Sequence, residues 1–307
     1  MGHNHSHGHS HSHGHAHTNN KKALFWAFLL IATFMVVEVI GGVITNSLAL
    51  LSDAGHMLSD AAALGLSLFA MKLGERKATQ SKTYGYKRFE IIAAALNGLT
   101  LIIISIYIFV EAYHRFTDPP QVQSMGMLTI SVIGLIVNII AAWILMSGDK
   151  DENLNVRSAF LHVLGDMLGS VGAITAALLI YFFDWGLADP IASVAVAILI
   201  IISGWRVTKE SFHVLMEGTP EQIDVNEVKD EIMKIPEVKD MHDVHIWSIT
   251  SGVLMLSGHI AVKGEGAHDR VLHKAQKLLH DRFGIDHSTL QVEGEEHGCP
   301  CAHGPCN

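Results

Sequence analysis

Two short stretches carry the residues best suited to chemistry. The segment SLALLSDAGHMLSD holds Asp53, His56 and Asp60, and the segment SAFLHVLGDMLGS holds His162 and Asp166. His56 and Asp60, like His162 and Asp166, stand four residues apart, so on a helix each pair lies on one face, about 5 to 6 Å between Cβ atoms. Either pair alone reads more readily as polar side chains that join helices than as a metal site. Together, two imidazoles and two carboxylates make a four-donor set that suits tetrahedral zinc, whereas calcium and magnesium prefer oxygen-only shells.

These residues lie in strongly apolar surroundings. Six apolar segments, at roughly 23–45, 48–71, 90–112, 124–147, 158–183 and 187–208, are each long enough to cross a bilayer. An Asp at the centre of such a span costs about 2.5 to 3.5 kcal/mol on insertion scales, so ionisable groups there are expected to face the interior and to have a task. Lys21 and Lys22 precede the first span, and Lys72, Arg76, Lys77, Lys82, Lys87 and Arg88 crowd the loop after the second. Lys150 and Arg157 lie in the fourth connection, while Arg115 is the only basic residue in the third and the first and fifth have none. The positive-inside rule then places both termini in the cytoplasm, and the second and fifth spans run antiparallel. His of one span can face Asp of the other near mid-membrane, with Ala54, Gly55, Gly165 and Gly169 small enough for close helix approach. Asp53 reads as an ion guide or a charge neutraliser. Glu38 and Asn138 read as partners of the site or of a pathway, with interhelical bonding equally open for Asn138 and a water-filled cavity for Glu38. The basic loop reads as a topology anchor, or with Glu90 as a set of gating ion pairs.

With 307 residues, 49% of them hydrophobic, the chain divides into an apolar first two thirds and a charged final third. Residues 1–20 form a His-rich tail with His3, His5, His7, His9, His11, His13, His15 and His17 among Gly, Ser and Asn. That composition builds no core and predicts a disordered, weak collector of borderline-soft cations. It also lacks the apolar run of a cleavable signal, so the first span is expected to serve as the insertion signal. Residues 21–211 form the membrane domain and 212–295 a cytoplasmic one. Residues 296–307 form a tail with Cys299, Cys301 and Cys306 beside His297 and His303, which reads either as a soft metal clip or as a tail that binds nothing specific. The net charge of −9 is modest, and no basic cluster suggests a nucleic-acid partner, so none is expected.

In the cytoplasmic part, Val225–Ile235 has a helical period, Met241–Thr250 and Val253–Val262 alternate like strands around Ser251-Gly252, Gly266–Phe283 is amphipathic, and Ser288–Glu293 reads as a strand. The order αββαβ predicts a small α+β, ferredoxin-like domain with Ile232, Val244, Ile246, Leu254, Leu256, Leu272 and Leu279 in its core. His268, His273 and His280 read as solvated surface. His242, His259 and His287 lie on or beside strands that can meet at one edge, with Glu293 as a carboxylate, and form a second candidate metal site.

The two His-x-x-x-Asp motifs, the YGYKRFE loop, the VHIWSIT strand and the LQVE strand together resemble a bacterial zinc exporter of the cation diffusion facilitator family, over roughly residues 21–295. The resemblance implies a six-helix membrane domain, a cytoplasmic domain that dimerises, residence in the bacterial inner membrane, and export of Zn2+ in exchange for protons. It implies transport ligands at His56, Asp60, His162 and Asp166, and regulatory cytoplasmic ligands at His242, His259, His287 and Glu293. Cd2+ and Co2+ fit such a site nearly as well as Zn2+, and K+ is a second candidate counter-ion.

No G-x-x-x-x-G-K-[ST] loop is present to couple ATP, so an ion gradient is the expected energy source. An intramembrane zinc hydrolase needs an open metal position and a base, and no H-E-x-x-H occurs. A membrane-anchored zinc sensor or buffer is the alternative. It leaves four intramembrane donors unexplained.

Overall fold

A computed structural model describes residues 14–58, 61, 73, 78–146, 154–250, 252–264 and 266–294. The chain divides into two compact units. One comprises Met1–Leu64 and Leu99–Gly204, and the other Gly65–Gly98 and Trp205–Asn307.

Long helices make up the first unit, two of them running on into the second over residues 89–98 and 205–215. They are α1 (Gly14–Thr45), α2 (described over 48–58), α3 (Phe89–Thr117), α4 (Ser124–Met146), α5 (Leu154–Phe183) and α6 (Ala188–Leu215). Among the described residues five of these have stretches long and apolar enough to cross a membrane: Phe28–Thr45, Phe89–Thr117, Ser124–Ile144, Gly165–Phe183 and Ala188–Leu215. The second expected span lies partly outside the described residues and appears as α2. The α1 helix begins at Gly14, so residues 14–20 of the His-rich tail are helical where disorder is the expectation from composition.

Large apolar side chains such as Ile103, Tyr107, Trp143, Leu168 and Phe182 are exposed on these helices. Polar side chains are instead buried, among them Glu38, Asp53, Asn138, Asp166, Ser170 and Asp189. This inversion is what a bilayer solvent selects, since apolar groups face lipid freely and polar groups need internal partners. Glycines let α1 and α4 approach closely: a Cβ at Gly41 would overlap Ile130, and one at Gly134 would lie 2.8 Å from Phe34 Cε1.

The second unit contains α7 (Val225–Met233), β1 (Val238–Thr250), β2 (Val253–Val262), α8 (His268–Phe283) and β3 (His287–Glu293), in the αββαβ order that the sequence predicts. Asp224 caps α7 by accepting from Asn226 N at 2.8 Å. Gly252, at φ +74°, closes the β1–β2 turn. Gly284, at φ +65°, ends α8 in a left-handed cap that bonds to His280 O and Leu279 O. The sheet order is β1-β2-β3, with β1 and β2 antiparallel and β2 and β3 parallel, the latter joined through α8.

The core of this unit holds Ile232, Ile246, Leu256 and Leu279 as expected, with Val244 and Leu254 partly buried against it. Leu272 is not in it. Val271, Ala275 and Leu279 form the inward stripe of α8, so Val271 takes the place expected for Leu272 while Leu279 faces inward as expected. Arg88 pairs with Glu217 at 2.8 Å, and Glu90 accepts a hydrogen bond from Thr250 Oγ1. The Arg88–Glu217 pair is largely exposed and belongs to a class worth about 0 to 1 kcal/mol.

Candidate metal sites

The membrane site is built from the start of α2 downward. Ser47 is the N-cap of this helix: its Oγ accepts from Leu50 N at 3.3 Å and donates to Asp189 Oδ1 at 2.6 Å. Asp189, in the first turn of α6, also accepts from Leu48 N at 2.8 Å and Ala49 N at 3.1 Å. Arg115 of α3 approaches Asp189 Oδ2 at 3.5 Å, donates to Asn46 O at 2.7 Å, and is held by Glu111 at 3.0 Å. A fully buried carboxylate from one helix thus fixes the first turn of another. Nothing in the residue spacing announces this clamp, because Asp189 beside Pro190 has the look of an ordinary acidic first turn.

Two turns further along α2, His56 Nε2 lies 3.8 Å from Asp166 Oδ1 of α5. Asp166 is 1% exposed. His162 lies in α5 one turn before Asp166, and its side chain is outside the described residues, as is Asp60. Among the described residues, one member of each His-x-x-x-Asp pair therefore meets the other across the α2–α5 contact. Glu38 of α1 hydrogen-bonds Asp53 and neighbours Asp166. Asn138 of α4 donates to Ser170 Oγ of α5 at 3.4 Å, a bond that ties these helices together. Three buried carboxyl groups and an imidazole in one apolar interior call for compensating positive charge, from a bound cation or from protons.

The small residues divide differently from the sequence expectation. A Cβ on Gly169 would lie 2.6 Å from Asp53 Oδ1, so Gly169 gives α2 its place against α5. Gly55 faces Ile104 of α3, and a Cβ on Gly165 would meet nothing within 4 Å.

In the second unit, His242, His259 and Glu293 offer ligand atoms within 4.8 Å of one another. Strand register explains this. His242 and His259 are direct cross-strand partners on β1 and β2, their rings 5.4 Å apart, and Glu293 stands two residues beyond Gln291, the partner of His259 on β3. His259 Nδ1 donates to Glu293 Oε1 at 2.6 Å, and His242 Nε2 lies 3.8 Å from Glu293 Oε2. His242 Nε2 is buried without a hydrogen-bond partner among the described residues. Two imidazoles and a carboxylate with such an orphaned nitrogen fit a borderline-soft divalent cation. His287 is not in this cluster: it pairs with Met255 at the other end of β3 and packs edge-on against Tyr84. Cys299, Cys301 and Cys306 lie outside the described residues.

Residues 24–216 match the model of the cation efflux transmembrane domain, and residues 220–295 that of the cation efflux protein cytoplasmic domain. A cadmium, cobalt and zinc/H(+)-K(+) antiporter of Bacillus subtilis is 54% identical over 97% of this chain and 93% of its own length. The zinc transporter ZitB of Escherichia coli is 44% identical over 99% of this chain and 95% of its own. The metal cation efflux system protein CzcD of Cupriavidus metallidurans is 43% identical over 95% of this chain and 90% of its own. With two family models following each other along most of the sequence and relatives matched almost end to end, the chain belongs to the cation diffusion facilitator family of multi-pass membrane cation efflux transporters.

Proposed function

We propose that this transporter exports Zn2+ from the cytoplasm in exchange for protons, accepts Cd2+ and Co2+ as well, and works as a homodimer in the bacterial inner membrane with both termini inside. The transported ion is held by His56, Asp60, His162 and Asp166. The observation that carries this reading is the 3.8 Å approach of His56 Nε2 to Asp166 Oδ1, one donor from each repeated motif. The names of the relatives support the choice of metals, and that of the Bacillus subtilis protein supports H+ with K+ as a further counter-ion.

Exchange follows from the chemistry of the donors. Zn2+ binds neutral imidazole and ionised carboxylate, so metal and protons compete for the same atoms and one leaves as the other arrives. Alternating access, with helices rocking about a fixed site, lets the more acidic outer side protonate the donors and release zinc. The His-rich tail raises the local zinc concentration at the cytoplasmic mouth.

In the cytoplasmic unit, His242, His259 and Glu293 would hold a regulatory divalent cation that ties β1, β2 and β3 together. This cluster also favours the second reading, a membrane-anchored zinc sensor that does not transport. Zinc uptake by everted vesicles separates the two: His56→Ala and Asp166→Ala abolish flux in a transporter that still inserts, whereas a sensor shows no turnover in the wild type. Near wild-type flux in both variants would remove the site assignment.

A further inference from the structure

We propose that Asp240 and Asp243 are positioning residues for the cytoplasmic site, each standing behind one histidine ligand on the side away from the metal. The inference rests on the reading of His242, His259 and Glu293 as that site.

Each imidazole has two nitrogens, and only one of them faces the cluster. For His242 the facing atom is Nε2, 3.8 Å from Glu293 Oε2, while Nδ1 lies 3.2 Å from Asp240 Oδ2. For His259 the facing atom is Nδ1, hydrogen-bonded to Glu293, while Nε2 lies 3.8 Å from Asp243 Oδ2. A cation at the cluster displaces the proton between His259 Nδ1 and Glu293, which puts the ring hydrogen on Nε2, toward Asp243. The same exchange leaves the hydrogen of His242 on Nδ1, toward Asp240. Both rings thus acquire the carboxylate–imidazole–metal arrangement that selects a tautomer, holds the ring and raises its basicity.

The backbone explains how two aspartates one residue on either side of the Met241-His242 pair reach these places. From His242 to His245 β1 advances three residues while β2 advances only two, from His259 to Ser257. This bulge falls at Asp243, which takes φ +52°, a left-handed conformation that Asp tolerates better than most residues. Without the extra residue, strict alternation would send Asp243 to the face opposite His242. His245 Nε2 anchors Asp243 Oδ1 at 3.1 Å, and Gln291 Nε2 donates to Glu293 Oε1 at 2.9 Å, so the carboxylates themselves are held.

The test uses the full-length protein in detergent with His56→Ala and Asp166→Ala in every sample, titrated with Co2+. The site's signal is the part of the d–d absorption that His259→Ala removes. Asp243→Gly keeps the backbone conformation and removes the carboxylate, and Asp240→Ala does the same for the other ring. Each is expected to leave the band position unchanged and raise the Co2+ Kd about 10-fold. Asp240→Asn and Asp243→Asn, whose amide oxygens still accept from the ring, are expected to recover most of the affinity. Wild-type affinity in Asp240→Ala and Asp243→Gly, or a band shift showing that either aspartate is itself a ligand, overturns the proposal while leaving the site standing. An unchanged spectrum in His259→Ala overturns the site.

Discussion

Gly169 of α5 leaves just enough room for the carboxylate of Asp53 on α2: a Cβ at position 169 would sit 2.6 Å from Asp53 Oδ1. Both residues lie one turn from a candidate ligand, Asp53 before His56 and Gly169 after Asp166. Gly169→Ala is therefore expected to push α2 away from α5, at an overpacking cost of about 1 to 3 kcal/mol, and to cut vesicle zinc flux at least several-fold. Gly165→Ala, where a Cβ meets nothing within 4 Å, should leave flux near wild type. Equal flux in the two variants would show that this contact does not set the site.

The Asp189 clamp predicts an asymmetry in stability. Asp189→Ala leaves the buried Arg115 guanidinium with only the partly exposed Glu111 carboxylate and the first turn of α2 without its acceptor, a loss of about 3 kcal/mol. Replacing Arg115 and Asp189 together by apolar residues should cost less than Asp189→Ala alone, because the one charge then left without its partner, Glu111, is partly exposed to solvent. Thermal unfolding in detergent measures both. A double variant less stable than the single one would contradict the argument.

The cytoplasmic unit should weaken in acid through two glutamates. The hydrogen bond from Lys234, with the Arg282 guanidinium adding to it, holds the Glu231 carboxyl below its ordinary value of 4.5. Lys274, at 3.0 and 3.1 Å, does the same for Glu237. A lowered folded-state pKa gives stability that is full above the unfolded value near 4.5 and is lost as pH falls through the folded value. Chemical unfolding of the full chain, followed by Trp247 fluorescence between pH 6 and 3, should show this loss, and Glu231→Gln with Glu237→Gln should flatten it. An unchanged slope in the double variant would rule these pairs out as its source.

The spans and the order of elements in the second unit are legible in the sequence for reasons particular to the residues. Apolar length marks the spans, and a repeated His-x-x-x-Asp inside them points to the proposed membrane site, because the cost of burying such groups leaves few bland readings for two matching copies. The αββαβ order follows from clear changes of period around Gly252 and Pro236. What failed depends on register and rotation. Leu272 and Val271 are neighbours of similar apolarity, and only packing decides which faces inward. His287 and Glu293 stand at opposite ends of β3, and six residues of extended chain hold them about 20 Å apart. The bulge at Asp243 and the reach of Asp189 to the start of α2 arise from contacts between distant segments, on which local pattern is silent.

Exchange of zinc and protons at one buried donor set predicts that an imposed pH gradient drives zinc uptake by everted vesicles. Uptake should be driven by an acidic interior and weaken as the loading side is acidified, since protons then compete with zinc for the donors, and an ionophore that collapses the gradient should stop it. Zinc flux that continued equally fast with the gradient collapsed, together with zinc binding that released no protons in calorimetry across buffers of different ionisation enthalpy, would contradict proton exchange.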